Sequence, residues 1–177
     1  LDVNSIEKNI TPRTKAIIVV DIFGQPFDAD RINALAEKHN LYVIEDCAQA
    51  PHTFYKGKAG KKFSGTLGDI GIYSLNYHKH IHCGEGGILV TDSDELAEKL
   101  RLIRNHAEAV MGDRYPDLND AKLANMLGFN YRLPELEASI LTEQLKKVQG
   151  LVEERVENVR YIEKGLSQIP FLKMPKV

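Results

Sequence analysis

The sequence predicts an α/β fold, a mixed and mostly parallel sheet with flanking helices, and three observations carry that prediction. Ala16–Val20 is an unbroken apolar run rich in β-branched residues, and residues 41–44 form a second. Such runs mark strands buried on both faces. Between them, a turn with Gly24 and Pro26 leads to Asp28, a helix N-cap, after which Ile32, Leu35 and Ala36 fall on one helical face. Strand, helix and strand at this spacing make a βαβ unit, so the first two strands are expected to run parallel.

Residues 46–66 show no period and carry Pro51, Gly57 and Gly60, so they read as a loop. Strand character returns at residues 70–75 and again at 87–91. Only about eleven residues separate these two strands, fewer than a parallel crossover needs, so the pair is expected to be antiparallel. Its connection, residues 76–86, then sits at one end of the sheet. Asp92-Ser-Asp-Glu95 resembles a capping box, and Leu96, Leu100 and Ile103 continue it as an amphipathic helix. A polar loop through Gly112 and Pro116 follows. From Leu133 to Leu166 apolar residues recur at three- and four-residue steps. One helix of that length reaches ~50 Å at 1.5 Å per residue, with Gly150 as a place to bend.

The chain has 177 residues, enough for one domain or for one domain and part of another. Hydrophobic residues at 43% and charged residues at 27% allow a buried core and exclude wholesale disorder. A net charge of −2 argues against a nucleic-acid partner, which calls for a clustered basic excess. The apolar runs are too short to span a bilayer, so no membrane partner is expected. No secretory leader is read at the start, and Cys47 and Cys83 belong to no CxxC pair, which fits a reduced, cytoplasmic setting. Starting at Leu1 and stopping at Val177, the chain is expected to be an internal piece of a longer polypeptide.

Chemistry-bearing residues gather at one end of the predicted sheet. Asp46 closes an apolar strand, which puts its carboxylate at the strand's C-terminal end, where open α/β sheets bind ligands. A lone acid there more often caps the next segment. Glu45 is expected on the opposite side, because side chains alternate along a strand. Lys79 lies in a loop, where most lysines are merely solvated. Its place between two core strands, near the Asp46 edge and before a glycine-rich turn, sets it apart. His78, His80 and His82 alternate like ligands on a strand face, but no second cluster completes a zinc set. No metal is expected, and the histidines are read as polar packing around a site mouth. Neither GxxxxGK[ST] nor GxGxxG occurs, which sets aside P-loop and dinucleotide chemistry.

Eight motifs then appear in order: Thr11-Pro-Arg-Thr-Lys-Ala-Ile-Ile, Phe23-Gly-Gln-Pro26, Val43-Ile-Glu-Asp-Cys-Ala-Gln-Ala50, Gly68-Asp-Ile-Gly71, Ser74-x4-Lys79, Gly84-Glu-Gly-Gly87, Leu100-Arg-Leu-Ile-Arg-Asn-His106 and Gly128-Phe-Asn-Tyr-Arg132. Together they resemble the DegT/StrS family of sugar aminotransferases, which depend on pyridoxal 5'-phosphate (PLP) and share the aspartate-aminotransferase-like type I fold. The resemblance implies that Lys79 forms the imine with the cofactor and that Asp46 faces its pyridine nitrogen. It places Gln49 beside the ring hydroxyl and Ser74 on the phosphate. Asn130 reaches the phosphate of the neighbouring subunit's cofactor, so a homodimer with shared sites is implied. Residues 1–132 become the central part of the PLP-binding large domain, without its N-terminal part. Residues 133–166 become the helix linking to the small domain, which starts at 167–177.

The implied substrates are a nucleotide-linked keto sugar and an amino-acid donor, glutamate by expectation. Physical chemistry agrees with these roles: a carboxylate beside the ring nitrogen keeps it protonated, and a desolvated lysine is neutral enough to react. Tyr77, His78, His80 and His82 depart from the small residues or Asn usual around the family's lysine. One branch of the family replaces that lysine by histidine and dehydrates sugars. A sugar dehydratase is therefore the alternative, and a non-catalytic fragment packing through residues 133–166 is another.

Overall fold

The computed structural model describes residues 2–58, 60–108 and 126–174. The polar loop through Gly112 and Pro116 lies outside them. In chain order the elements are α1 (Val3–Asn9), β1 (Ala16–Val20), α2 (Ala29–His39), β2 (Tyr42–Asp46), β3 (Phe54–Gly57), β4 (Gly60–Phe63), β5 (Ile70–Ser74), β6 (Gly87–Val90), α3 (Asp94–Arg104), α4 (Glu135–Leu145) and α5 (Val148–Leu166). Four strands form one sheet in the order β1-β2-β5-β6. β1, β2 and β5 run parallel and β6 runs antiparallel to β5, as the strand runs and the short connection predict.

The core forms where α2 lies on the sheet. Ile17, Val19 and Val43 meet Ala29, Ile32 and Ala36, with Phe27 closing one end and α1 adding Val3 and Ile6 at the margin. Asp28 caps α2 by accepting from the Arg31 N–H. Asn40 ends the helix in the left-handed region at φ 52° and returns its N–H to the last turn.

Four local differences from the sequence expectations have physical causes. β1 is covered on one face only, with Ile18 62% and Val20 49% exposed. An unbroken apolar run allows a strand to sit between two layers, but α2 supplies only one of them. Residues 46–66 are not all loop: they contain the antiparallel β3–β4 hairpin, in which Gly57 pairs with Gly60 across the turn. Its lysines hide the strand period. α3 is capped by Ser93, whose hydroxyl accepts from the Leu96 N–H. Leu96 cannot return the bond, so there is no capping box, and Glu95 pairs with Lys99 instead at 2.7 Å. Finally, the expected single helix is two, α4 and α5. The Lys147 N–H bonds to the Gln144 carbonyl three residues back, a tighter turn than the α-helix allows. The joint therefore falls at Lys146–Lys147 rather than at Gly150, which lies inside α5.

Candidate active site

β2 and β5 end together. The register pairs Val20 with Asp46 and Asp46 with Ile72. Paired residues on neighbouring strands face the same side, and sides alternate along each strand. Val20, Asp46, Ile72 and Ser74 therefore share the face turned away from α2. Val19, Glu45, Gly71 and Tyr73 share the α2 face. The two adjacent acids are thus separated by the sheet, as alternation predicts.

Asp46 accepts from the Ala48 N–H through Oδ1 at 3.0 Å, a local turn. Its Oδ2 accepts no hydrogen bond among the described residues. Ser74 accepts from the Asn76 N–H at 3.3 Å, which leaves its own proton free to donate. The two groups stand at one edge and on one face, each with hydrogen-bonding capacity to spare.

The connection from β5 to β6 leaves from the same edge and carries Lys79. It is stitched rather than loose. Tyr77 N–H bonds to Gly84, Leu75 N–H to Gly86, Cys83 N–H to Leu75 and Lys79 N–H to Asn76, all on carbonyls and within 3.2 Å. The Asn76 side chain adds bonds to the His78 N–H and to Glu85. Leu75, Ile81 and Cys83 are buried beneath it. Gly84 at φ 102° makes the return turn that an L side chain disfavours. Lys79 itself is half-buried and its ammonium makes no ion pair among the described residues.

The three histidines occupy turns rather than a strand, so they do not line one face. Burial, with Arg155 and Lys79 adding positive charge, holds His80 below the usual imidazole range, so this ring stays neutral beside Lys79. Gln49 is exposed and its Oε1 accepts from the Phe23 N–H at 3.1 Å, tying the segment after β2 to the one after β1. Asn130 is exposed and bridges Asn105 at the end of α3. No hydrogen bond joins it to Asp46, Gln49, Ser74 or Lys79 among the described residues.

The structure also reveals an anchor that sequence reading passed over. Glu45 is fully buried and accepts from the N–H groups of Gly65, Leu67 and Gly68, each at 2.6 Å. Burial pushes its carboxyl up, and those three donors pull against the rise. Asp21, also fully buried, accepts from the Phe27 N–H and lies 3.7 Å from the Cys47 sulfur. Burial and the two acids push the Cys47 thiol far up, so it remains a protonated donor. Asp21, Glu45 and Cys47 bring ligand-type atoms within 4.8 Å of one another. Their hydrogen bonds to the protein make the group a structural node under the Asp46 edge.

Tyr73 completes that node by donating to the Ser64 carbonyl. Burial first, then the charges of Cys47, Glu45 and Asp21, push its phenol from 10.0 up to about 12. The folded value lies above the free one, so the protonated phenol stabilises the fold below pH 10 and this stability is lost as pH rises towards 12. Thermal melts should show stability falling across that window, with a shallower fall in Tyr73→Phe. An identical slope in the variant would assign the alkaline loss to other groups.

The sequence model of the DegT/DnrJ/EryC1/StrS aminotransferase family matches residues 1–177. GDP-perosamine synthase of Caulobacter vibrioides is 39% identical over 169 residues, which is 96% of this chain and 42% of that protein. An aminotransferase from Psychrobacter cryohalolentis superposes with a TM-score of 0.83 at 34% identity, over 95% of this chain and 42% of the other. The E. coli GDP-4-keto-6-deoxy-D-mannose-3-dehydratase with bound hydrated PLP gives a TM-score of 0.78 at 28% identity, over 99% of this chain and 46% of the other. The chain thus spans less than half the length of the relatives it matches. Its fold is the PLP-dependent type I architecture that the motifs imply.

Proposed function

Because this chain belongs to the DegT/DnrJ/EryC1/StrS aminotransferase family, we propose that the whole protein moves an amino group from glutamate to a nucleotide-linked keto sugar, in amino-sugar or polysaccharide biosynthesis. The supporting observation is the shared edge: Asp46 and Ser74 on one face, with the Lys79 connection leaving from the same end of the sheet. This donor set suits the family's cofactor, pyridoxal phosphate. Among the described residues it offers an acid with an unused oxygen, a hydroxyl with an unused proton and an amine without an ion-pair partner.

In this reading Asp46 holds a proton on the ring nitrogen, where a carboxylate raises the nitrogen's basicity. Ser74 donates to the phosphate without adding charge, and Gln49 lies beside the ring hydroxyl. Lys79 would hold the cofactor at its aldehyde end and, as a free amine, would move the proton at the donor's α-carbon. Bound PLP supplies the electron sink. Asn130, which makes no hydrogen bond to these groups among the described residues, serves the phosphate of a partner subunit's cofactor in a homodimer. Residues 1–132 form the central large domain, 133–166 the link and 167–177 the start of the small domain. A cytoplasmic location accords with two unpaired cysteines, and no helix among the described residues is long and apolar enough to cross a membrane.

Glutamate added to the PLP-loaded protein should convert the cofactor to its amine form without any sugar present. Asp46→Asn should bind PLP yet slow this conversion on the order of 10²-fold or more, because an amide cannot hold the ring proton. Unchanged turnover in Asp46→Asn would remove the acid from the mechanism. A protein that holds PLP but never accepts the amino group would instead be a sugar dehydratase of the same family, a reading that the histidines flanking Lys79 keep in view.

A further inference from the structure

The turn after β1 contains a strained residue. Phe23 lies in the left-handed region at φ 57° and is 87% exposed. A phenylalanine disfavours that conformation, which persists only where surrounding bonds impose it. The bonds are present. Asp21 N–H donates to the Asp46 carbonyl at 3.0 Å, and the buried Asp21 carboxylate accepts from the Phe27 N–H at 2.9 Å, so one residue clamps both ends of the turn. Gln25 N–H closes it on the Ile22 carbonyl at 3.1 Å. Gly24 follows at φ 80°, where a Cβ would lie 3.6 Å from Thr53 Oγ1 and 3.9 Å from the Gln49 carbonyl oxygen. The turn therefore rests against the segment that follows β2.

The strained residue makes one contact that matters to the site: its N–H donates to Gln49 Oε1 at 3.1 Å. A carboxamide has an acceptor end and a donor end, and a backbone N–H can bond only to the oxygen. Gln49 is thus held with its oxygen spent and its N–H₂ turned the other way. That N–H₂ makes no hydrogen bond among the described residues. Gln49 follows Asp46 by three positions, and the Asp46 carbonyl takes the N–H of Asp21 in the same turn. A free donor is fixed beside the strand end that carries Asp46, and a fixed donor suits an anionic oxygen.

We propose that Phe23 is a positioning residue: its N–H turns the Gln49 carboxamide so that the N–H₂ end, and not the oxygen, meets the ring oxygen of pyridoxal phosphate. The inference rests on the cofactor reading above and adds what sets the Gln49 amide. The phenyl ring has no part in it; the backbone conformation does the positioning.

Two substitutions at position 23 separate backbone from ring. Asparagine tolerates the left-handed region and β-branched valine does not. Phe23→Asn therefore keeps the N–H in place, while Phe23→Val, in a turn clamped at both ends, must rotate that peptide away. The first readout is the pH at which the visible band of the PLP-loaded full-length protein titrates. Withdrawing a donor from the ring oxygen leaves more charge on it, which holds the neighbouring imine proton more firmly. The midpoint should rise equally in Phe23→Val and Gln49→Ala, by on the order of one pH unit, the worth of one charge-assisted hydrogen bond. The double variant should rise no further, and Phe23→Asn should match wild type. The second readout is hydrogen exchange of the Phe23 amide without PLP, which should quicken at least about tenfold in Gln49→Ala.

Equal midpoints in wild type and Phe23→Val would overturn the inference. So would a shift in Phe23→Asn as large as that in Phe23→Val, which would give the role to the ring. Exchange at Phe23 that ignores Gln49→Ala would overturn it too, and decides alone if Phe23→Val does not fold. A wild type that forms no visible band, with Phe23 exchange still dependent on Gln49, would strike the cofactor reading and leave the orienting bond standing.

Discussion

Lys79→Ala is expected to abolish transamination while leaving the fold intact. The tip of the β5–β6 connection is held by backbone bonds, including that of the Lys79 N–H to Asn76, and alanine keeps them all. The ammonium makes no ion pair that the truncation would break among the described residues, so the stability change should stay within roughly 0.5 kcal/mol. Function is another matter. In the proposed mechanism the variant loses both the group that attaches to the cofactor and the base that moves the donor's α-proton, and such a base alone is worth on the order of 10²–10⁴ in rate. Steady-state formation of the amino sugar, beside a urea melt of the same preparation, separates the two effects. A variant that melted early would say that Lys79 is structural, and one that retained full turnover would remove it from the chemistry.

The second large effect is on stability, at Glu45→Ala. Three N–H groups, the buried one of Gly65 and the part-buried ones of Leu67 and Gly68, lose their acceptor together. Each stranded donor costs about 1–3 kcal/mol, so a loss of at least about 3 kcal/mol is expected. That is a large fraction of the ~5–15 kcal/mol that typically holds a domain. The damage spreads to the site, because this turn sets the start of β5. A side chain at Gly71 would collide with the Gly65 carbonyl, so turn and strand fit closely and move together. Glu45→Gln should fall between wild type and alanine. Its carbonyl can keep the two bonds now made by Oε1, while its amide N–H₂ meets the Gly65 N–H donor to donor. Urea unfolding measures both variants, and a loss below about 1 kcal/mol in Glu45→Ala would refute the anchoring role.

Much of this architecture was legible from residues alone, for reasons that particular elements make plain. β1 and β2 announce themselves as apolar runs, and the length of the β5–β6 connection dictates its antiparallel sense. The position of Asp46 follows from the strand it ends. The hairpin escaped because Lys56, Lys61 and Lys62 interrupt the apolar alternation, although Phe54, Tyr55 and Phe63 and the two glycines around the turn were there to be read. Residues 133–166 kept their apolar steps through a local tightening at Lys147, which a periodicity cannot register. Glu45 was placed on the correct side of its strand, but its partners lie 20 to 23 positions away, and nothing in its own neighbourhood names them. The assignment of Lys79, Gln49, Ser74 and Asn130 came from the order of motifs. The structure sets Ser74 on the same face as Asp46, two residues beyond Asp46's strand partner Ile72, and pairs Asn130 with Asn105 at the end of α3.

The central claim is that the amine of Lys79 and the carboxylate of Asp46 address one aromatic cofactor from the same edge of the sheet. Borohydride reduction of the PLP-loaded full-length protein, followed by peptide mass mapping, tests it most directly. The account predicts a visible absorbance near the violet edge that borohydride removes, and a single pyridoxyl adduct on Lys79. An adduct on another lysine, or none, would contradict it.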